Sequence, residues 1–261
     1  AESIINCVNG IGITADNVII NGFTIQGQTT NAGPGFGYAV YMAPPRAGTQ
    51  LLNNIIKNNR VGSSLANTGA SQAIIKCNWF DANNNAGAAS GNGIYTDEYT
   101  GGGVISNVLI ENNKFSGHTS AGITISTSQA ALATTGITIT KNEFSGNARA
   151  AFLYNTVSSS FTNNVISGST RTDGTGDLRI FGGVNNLSVM NNSFSAGGPR
   201  GILITNDGAQ VPATNSNITI TQNSFTGYTS TNFAIANVSG YTGAVPATCN
   251  WYSGTGASVP P

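Results

Sequence analysis

One cross-section recurs eight times along the chain: an apolar residue, then Asn three positions later, then a second apolar residue two positions after that. The Asn residues are Asn21, Asn59, Asn78, Asn113, Asn142, Asn164, Asn192 and Asn223. Before them stand Val18, Ile56, Ile75, Ile110, Ile139, Phe161, Val189 and Ile220, and after them Phe23, Val61, Phe80, Phe115, Phe144, Ile166, Phe194 and Phe225. Successive copies lie about 19 to about 38 residues apart, near the range of solenoid coils that carry loops of unequal length. A single copy is too small to bury its own apolar face, so the copies must stack.

The cleanest copies show what one coil contains: NVLIENNKFSG (107–117), TGITITKNEFSG (135–146) and SNITITQNSFTG (216–227). Each begins with apolar/polar alternation, breaks at a polar corner holding the Asn, and resumes as a second short strand. A third apolar segment follows after a variable stretch, as in Ile94-Tyr95-Thr96, Ile123-Thr124-Ile125, Phe152-Leu153-Tyr154, Leu178-Arg179-Ile180 and Ile202-Leu203-Ile204. Three short strands per coil, each pairing with its counterparts one coil above and below, describe an all-β parallel β-helix of about eight to ten coils. The expectation is one such domain over residues 1–253, with 254–261 as a linker-like tail.

The recurring Asn has a physical reason to stand at a corner. It tolerates left-handed backbone, and its amide can hydrogen-bond along the stack to copies about 4.8 Å away. The Phe residues after it read as a stacked core column. Asn6 and Asn250 extend the series at the two ends. The three cysteines, Cys7, Cys77 and Cys249, lie too many coils apart to pair and are expected to be free, small core residues. With a single histidine, His118, no zinc-type site is expected and no cofactor is called for; calcium is the one cation that loop oxygens could hold.

A formal net charge of +0 with only 8% charged residues argues against nucleic acid as a partner. No apolar run approaches the roughly 20 residues of a membrane-spanning helix, so membrane insertion is not expected. The low charge and the wealth of Asn, Ser, Thr and Gly (34 residues) point to a secreted or cell-surface location.

The segments ITADNVIINGFTIQG (13–27), NVLIENNKFSG, ITITKNEFSG (137–146), ITITQNSFTG (218–227) and ATCNWYSG (247–254) resemble the secreted right-handed parallel β-helix repeat proteins. The resemblance covers almost the whole chain and implies a right-handed helix. It leaves function open, since that superfamily includes lyases, hydrolases, epimerases, adhesins and non-catalytic modules.

Chemistry must therefore be sought in residues. Glycoside hydrolysis needs two convergent carboxylates. The densest acidic group is Asp97-Glu98, where alternation points Tyr95 and Asp97 outward and puts Glu98 at the start of a loop; the next coil offers only Ser126 and Thr127 at the matching positions. Removal of a proton from a uronate needs a base and a cation facing the carboxylate. Arg179, outward between Leu178 and Ile180, could build such an acidic-sugar site with Tyr154, Asp177 and Arg200. Neutral sugars instead stack on aromatic rings, and the loops 29–50 and 81–103 bring Phe36, Tyr38, Tyr41, Tyr95 and Tyr99 to the third-strand face. The expectation is thus a non-catalytic extracellular module that binds polysaccharide or a cell-surface glycan, or is adhesive, within a larger protein with neighbouring domains. Catalytic candidates are Asp97, Glu98 and Arg179; ligand-binding candidates are Tyr95, Tyr99, Tyr154, Asp177, Arg179 and Arg200. The alternatives are a lyase or hydrolase acting on an acidic glycan, and a structural module that associates end to end with itself.

Overall fold

The computed structural model describes residues 3–29, 37–210, 214–229, 231–241 and 243–253. Phe36 and the tail 254–261 lie outside the described residues. Three parallel sheets wind around a common core. Sheet 1 has ten strands, from Ser3–Asn6 to Trp251–Ser253; sheet 2 has nine, from Ile11–Ile13 to Phe233–Asn237; sheet 3 has eight, from Ile19–Asn21 to Ser216–Thr221. Within each sheet every strand pairs with the strand one coil on, as in Phe80↔Phe115↔Phe144 of sheet 1. The result is the three-sided parallel β-helix the repeat calls for.

The Asn ladder runs from Asn54 through Asn78, Asn113, Asn142, Asn164, Asn192 and Asn223 to Asn250, each Nδ2 donating to the next Oδ1 at 2.9 to 3.1 Å. That same Oδ1 accepts the backbone N–H of the preceding Asn at 2.9 Å. The remaining amide proton goes to the carbonyl of a sheet 3 apolar residue one coil back, such as Ile75 O for Asn113 and Ile110 O for Asn142. Every polar atom of a buried side chain is thereby satisfied, which is what makes it tolerable in the core.

Three expectations about this corner need correcting. Asn21 and Asn59 are not in the ladder: Phe23 occupies the position in the first coil and Asn54 in the second, where Asn54-x-Ile56 and Asn59-x-Val61 carry the same spacing. The left-handed residue is not the ladder Asn but the one before it: Asn53, Cys77, Asn112, Lys141, Asn163, Asn191, Gln222 and Cys249 all have φ between 54° and 58°. Cys77 and Cys249 are free but exposed, because that corner position points to solvent.

Sheet 1 is followed by a second internal stack, less regular than the first: Gln28, Asn59, Asn83, His118, Asn147, Ser169, Gly197 and Tyr228, each three residues beyond the central core residue of its strand. Asn59 Nδ2 donates to Asn83 Oδ1 (2.9 Å), Asn83 Nδ2 reaches His118 Nε2 (3.2 Å), and His118 Nδ1 reaches Asn147 Oδ1 (2.8 Å). His118, in the loop between its coil's strands, is therefore a buried rung of this stack. Because Asn83 presents an N–H and Asn147 a carbonyl, these partners fit a neutral ring protonated on Nδ1. Burial pushes its pKa down to about 4, against the upward pull of the Asn147 hydrogen bond and of Asp81.

Between the stacks runs the aromatic column. Phe80, Phe115 and Phe144 stack at 5.0 Å centroid spacings, and Phe194, Phe225 and Tyr252 at 5.1 and 5.4 Å. Ile166 interrupts the column, and Phe161 of sheet 3 brings a ring 6.0 Å from Phe144. Sheet 2 opposes these rings with a column of small residues. A Cβ on Gly93 would come 2.7 Å from Phe115 Cδ1, too close for any side chain.

Sheet 2 also carries most of the candidate residues. Its inward residues, such as Ile94, Ile123 and Ile202, fill the core, while an outward column runs Tyr95↔Thr124↔Phe152↔Arg179 on consecutive strands. A parallel outward column runs Asp97↔Ser126↔Tyr154↔Phe181.

Candidate functional site

This face holds a cavity of about 400 Å³ lined by Tyr38, Tyr41, Arg60, Ala88, Ala89, Tyr95, Asp97, Tyr99 and Thr100. Tyr38 and Tyr41 come from the strand Tyr38–Met42, with ring centroids 5.8 Å apart, and pack on Val61 to make the floor. Burial, and then the Asp97 carboxylate, push both phenols above the ordinary tyrosine value, Tyr38 far above it, so they remain neutral hydrogen-bonding groups. Tyr95, half-buried on the strand Asn92–Asp97, forms the wall and donates its hydroxyl to Asp97 Oδ2 (3.1 Å). Tyr99 stands 80% exposed at the rim. Arg60 is buried beneath, its guanidinium lying over Gly37 where no Cβ would fit.

Asp97 sets the rim. Its Oδ1 accepts the N–H groups of Tyr99 (3.0 Å) and Thr100 (2.8 Å) and the Thr100 hydroxyl, while its own N–H donates to Thr100 Oγ1 (2.9 Å). This reciprocal cap starts a single helical turn, Glu98–Gly101, where the sequence led us to expect a loop. The turn carries Tyr99 out over the cavity. Glu98 faces the other way, its carboxylate accepting from Ser128 N (3.0 Å) and Ser128 Oγ in the next coil. Burial raises the Glu98 pKa, but these hydrogen bonds outweigh it and hold the group below its usual range. The two candidate carboxylates thus do not converge, and the strand partner of Asp97 is Ser126, with no second acid in register.

Further along the face lies a second cleft, of about 280 Å³, lined by Ser120, Thr124, Arg149, Phe152, Arg171 and Arg179. Arg179 stands outward as alternation dictates, its guanidinium 4.4 Å from the Phe181 ring centroid and 5.5 Å from that of Phe152. The side chains expected beside it are elsewhere. Tyr154 is buried edge-on against Phe181 (4.9 Å), and its hydroxyl accepts Gln210 N–H (2.6 Å). Arg200 donates to Gly174 O (2.7 Å), pinning a loop. Asp177 points into the core at 1% exposure and accepts the Tyr228 hydroxyl (3.0 Å). Burial raises its pKa to about 6, against the downward pull of hydrogen bonds from Ser169 and Tyr228. Tyr154, Asp177 and Arg200 therefore do not assemble with Arg179 into one site.

A family model described as a right-handed beta helix region matches residues 90–250, more than half of the chain. The chain belongs to this right-handed β-helix family. No curated protein matches it. Among solved structures, PfbA, a surface adhesin of Streptococcus pneumoniae, aligns with TM-score 0.60 at 15% identity over 93% of this chain and 60% of that one. The mannuronan C-5 epimerase AlgE4 A-module of Azotobacter vinelandii aligns with TM-score 0.51 at 14% identity over 93% and 59%. The catalytic domain of a GH87 alpha-1,3-glucanase aligns with TM-score 0.54 at 11% identity over 97% and 56%. The chain thus spans less than two thirds of the length of each, and at these identities the likeness establishes the fold alone.

Within this β-helix framework sequence reasoning left Arg60, Arg149 and Arg171 out of the site. A signal for Asp177 was present: in other coils its position, one before the first apolar residue of the third strand, holds Gly93, Gly122, Ala150, Gly201 or Ala234. A column restricted to small residues faces the core. Among the described residues no three His, Cys, Asp or Glu side chains gather as a ligand set, and no helix is long and apolar enough to cross a membrane.

Proposed function

We propose that this β-helix is a non-catalytic, secreted or cell-surface module that binds a polysaccharide or cell-surface glycan lengthwise along sheet 2. The observation that carries this reading is the in-register outward column Tyr95, Thr124, Phe152, Arg179, flanked by the exposed Tyr99 and the tyrosine-lined cavity. Successive strands are about 4.8 Å apart, so the column offers contacts along roughly 14 Å of an extended chain. Rings at the wall and rim supply apolar faces for sugar C–H groups, and the tyrosine hydroxyls supply polar partners beside them. Tyr38 and Tyr41 serve chiefly to hold the loop onto the helix, which leaves Tyr95 and Tyr99 as the contact residues.

Binding without turnover is favoured because neither acidic candidate is free. Asp97 is saturated by its cap and Tyr95, and Glu98 is engaged with Ser128. The reading invokes no metal. Structural neighbours that include a surface adhesin and a glucanase make glycans the partners to test, with retention and cleavage as two arms of one experiment. Purified protein is incubated with neutral and acidic polysaccharides; retention of protein on the insoluble fraction is measured, and the soluble fraction is searched by mass spectrometry for new oligosaccharides. Retention that Tyr99→Ala weakens, without products, is the expected result. New products would establish an enzyme, and the absence of both would remove the glycan reading and favour end-to-end assembly.

A further inference from the structure

We propose that the cleft among Arg149, Arg171 and Arg179 is an anion subsite that takes the carboxylate or sulfate group of an acidic glycan lying along sheet 2. The inference rests on the glycan-binding reading above and narrows its ligand class.

Three guanidiniums converge on this cleft in a protein whose formal net charge is +0. One is neutralised: Arg171 Nε pairs with Asp173 Oδ2 at 2.6 Å. Among the described residues no carboxylate comes within ion-pairing distance of Arg149 or Arg179. Asp173 itself is turned toward Thr175, accepting its N–H (3.1 Å) and its hydroxyl (2.6 Å). Arg149 is only 6% exposed; its Nη2 donates to Thr175 Oγ1 (2.9 Å), and its buried Nε has no partner. The Nε of Arg179 is likewise buried and unpartnered. Both guanidiniums lie against one ring, 5.7 and 5.5 Å from the Phe152 centroid.

Such an arrangement is costly on its own. Burying an unpaired charge and crowding like charges both oppose folding, and cation–π contact with Phe152 offsets only part of that. The strain shows in Arg149, whose pKa falls to about 10 through burial first and then the nearby charges of Arg171 and Arg179. The two unpartnered Nε atoms are shielded from solvent, and an oxyanion in the cleft would relieve the repulsion by meeting the outer guanidinium nitrogens. Guanidinium forks match carboxylate and sulfate oxygens in pairs, and the Ser120 hydroxyl stands on the same lining, Thr124 Oγ1 donating instead to Asn92 Oδ1 (2.7 Å). Thr124 is also the strand neighbour of Tyr95, so one glycan can reach the cavity and the cleft along a single column.

The test uses calorimetric titration with three oligosaccharides of equal length, one neutral, one uronate and one sulfated, and thermal shifts with sodium sulfate and sodium glucuronate at matched ionic strength. Arg179→Gln should weaken the acidic oligosaccharides by about tenfold or more, and Arg179→Lys should recover part of the loss. Arg171→Gln, at an exposed position, serves as a second variant should the first fold poorly by circular dichroism. The sulfated and uronate arms distinguish the two sources of the anion. Equal affinity for neutral and acidic ligands, unaltered by Arg179→Gln, would overturn the anion subsite while leaving glycan binding intact. A saturable shift with sulfate or glucuronate that Arg179→Gln abolishes, without binding of any oligosaccharide, would overturn the glycan as occupant. No anion-specific response of any kind would overturn the proposal outright.

Discussion

A step of one coil along the Asn54–Asn250 corner changes almost nothing: the same side chain, the same two acceptors, and the same left-handed conformation in the residue before it. The same step along the outward column of sheet 2 replaces tyrosine by threonine, then phenylalanine, then arginine. The corner is uniform because each Asn closes the hydrogen bonds of its neighbours, so a departure leaves buried groups unpaired on both sides. The face is varied because its outward residues are not tied to one another by a repeated hydrogen bond. Regularity in this solenoid marks where the fold is held, and loss of regularity marks where recognition can reside.

The sharpest way to break the comparison is at the corner. Asn142→Ala removes donors to Ile110 O and Asn164 Oδ1 and the acceptor for the N–H and Nδ2 of Asn113. With about 1 to 3 kcal/mol for each buried group left unsatisfied, the expected loss is about 4 kcal/mol. Asn163→Gly, one residue from the next rung, keeps a left-handed position that glycine enters freely, and should change stability by no more than about 0.5 kcal/mol. Denaturant midpoints of the two variants measure the contrast, and equal losses would show that the ladder is not what holds the corner.

The second stack lies between the two extremes, and one of its rungs and a carboxylate hydrogen-bonded to another make it sensitive to pH in opposite senses. His118 has a pKa of about 4 in the fold against an ordinary 6.5, so the unfolded chain takes up the proton first as pH falls. Its contribution is complete above pH 6.5 and is lost as pH drops through 4, to a total of about 3 kcal/mol. Asp177 runs the other way: its pKa is raised to about 6 from 3.8, so its contribution is complete below pH 3.8 and is lost as pH rises through 6, again by about 3 kcal/mol. Between about pH 4 and 6 the two slopes oppose each other. Asp177→Asn should therefore expose a stability that climbs with pH across this window, and His118→Asn one that declines. Denaturant titrations at pH 4.5, 5.5 and 6.5 compare each variant with the parent; profiles parallel to the parent in both would mean that neither group is buried as described.

The same contrast governs what the sequence could show. The coil, its three strands and the Phe column were readable because close packing repeats their pattern at every turn. The register of the ladder in the second coil was not, since Asn53-Asn54 and Asn58-Asn59 offer the same spacing to Ile56 and Val61, and only the neighbouring strands decide between them. On the face, strand alternation placed Tyr95, Asp97 and Arg179 outward, and the structure agrees. Alternation could not show that the Gln210 N–H meets the Tyr154 hydroxyl, that Arg200 turns back to Gly174, or that Arg149 and Arg171 come in from loops to meet Arg179. Those positions depend on loop paths of unequal length, which no period encodes.

The smallest expected effect on stability lies at the rim and carries the comparison to function. Tyr99 is held over the cavity by the backbone turn that Asp97 caps, and its ring is 80% exposed. Tyr99→Ala should therefore leave the denaturant midpoint within about 0.5 kcal/mol of the parent. If the ring stacks on a sugar, the same change should weaken glycan retention by about fivefold, for a contact worth on the order of 1 kcal/mol. Tyr95→Phe separates ring from hydroxyl at the wall: it keeps the stacking surface but deprives Asp97 Oδ2 of its donor, freeing one carboxylate oxygen toward the cavity. Retention that survives Tyr95→Phe and falls with Tyr99→Ala would assign recognition to ring faces. The reverse order would assign it to the polar pair, because only an oxygen shared between Asp97 and the ligand would respond to loss of the hydroxyl.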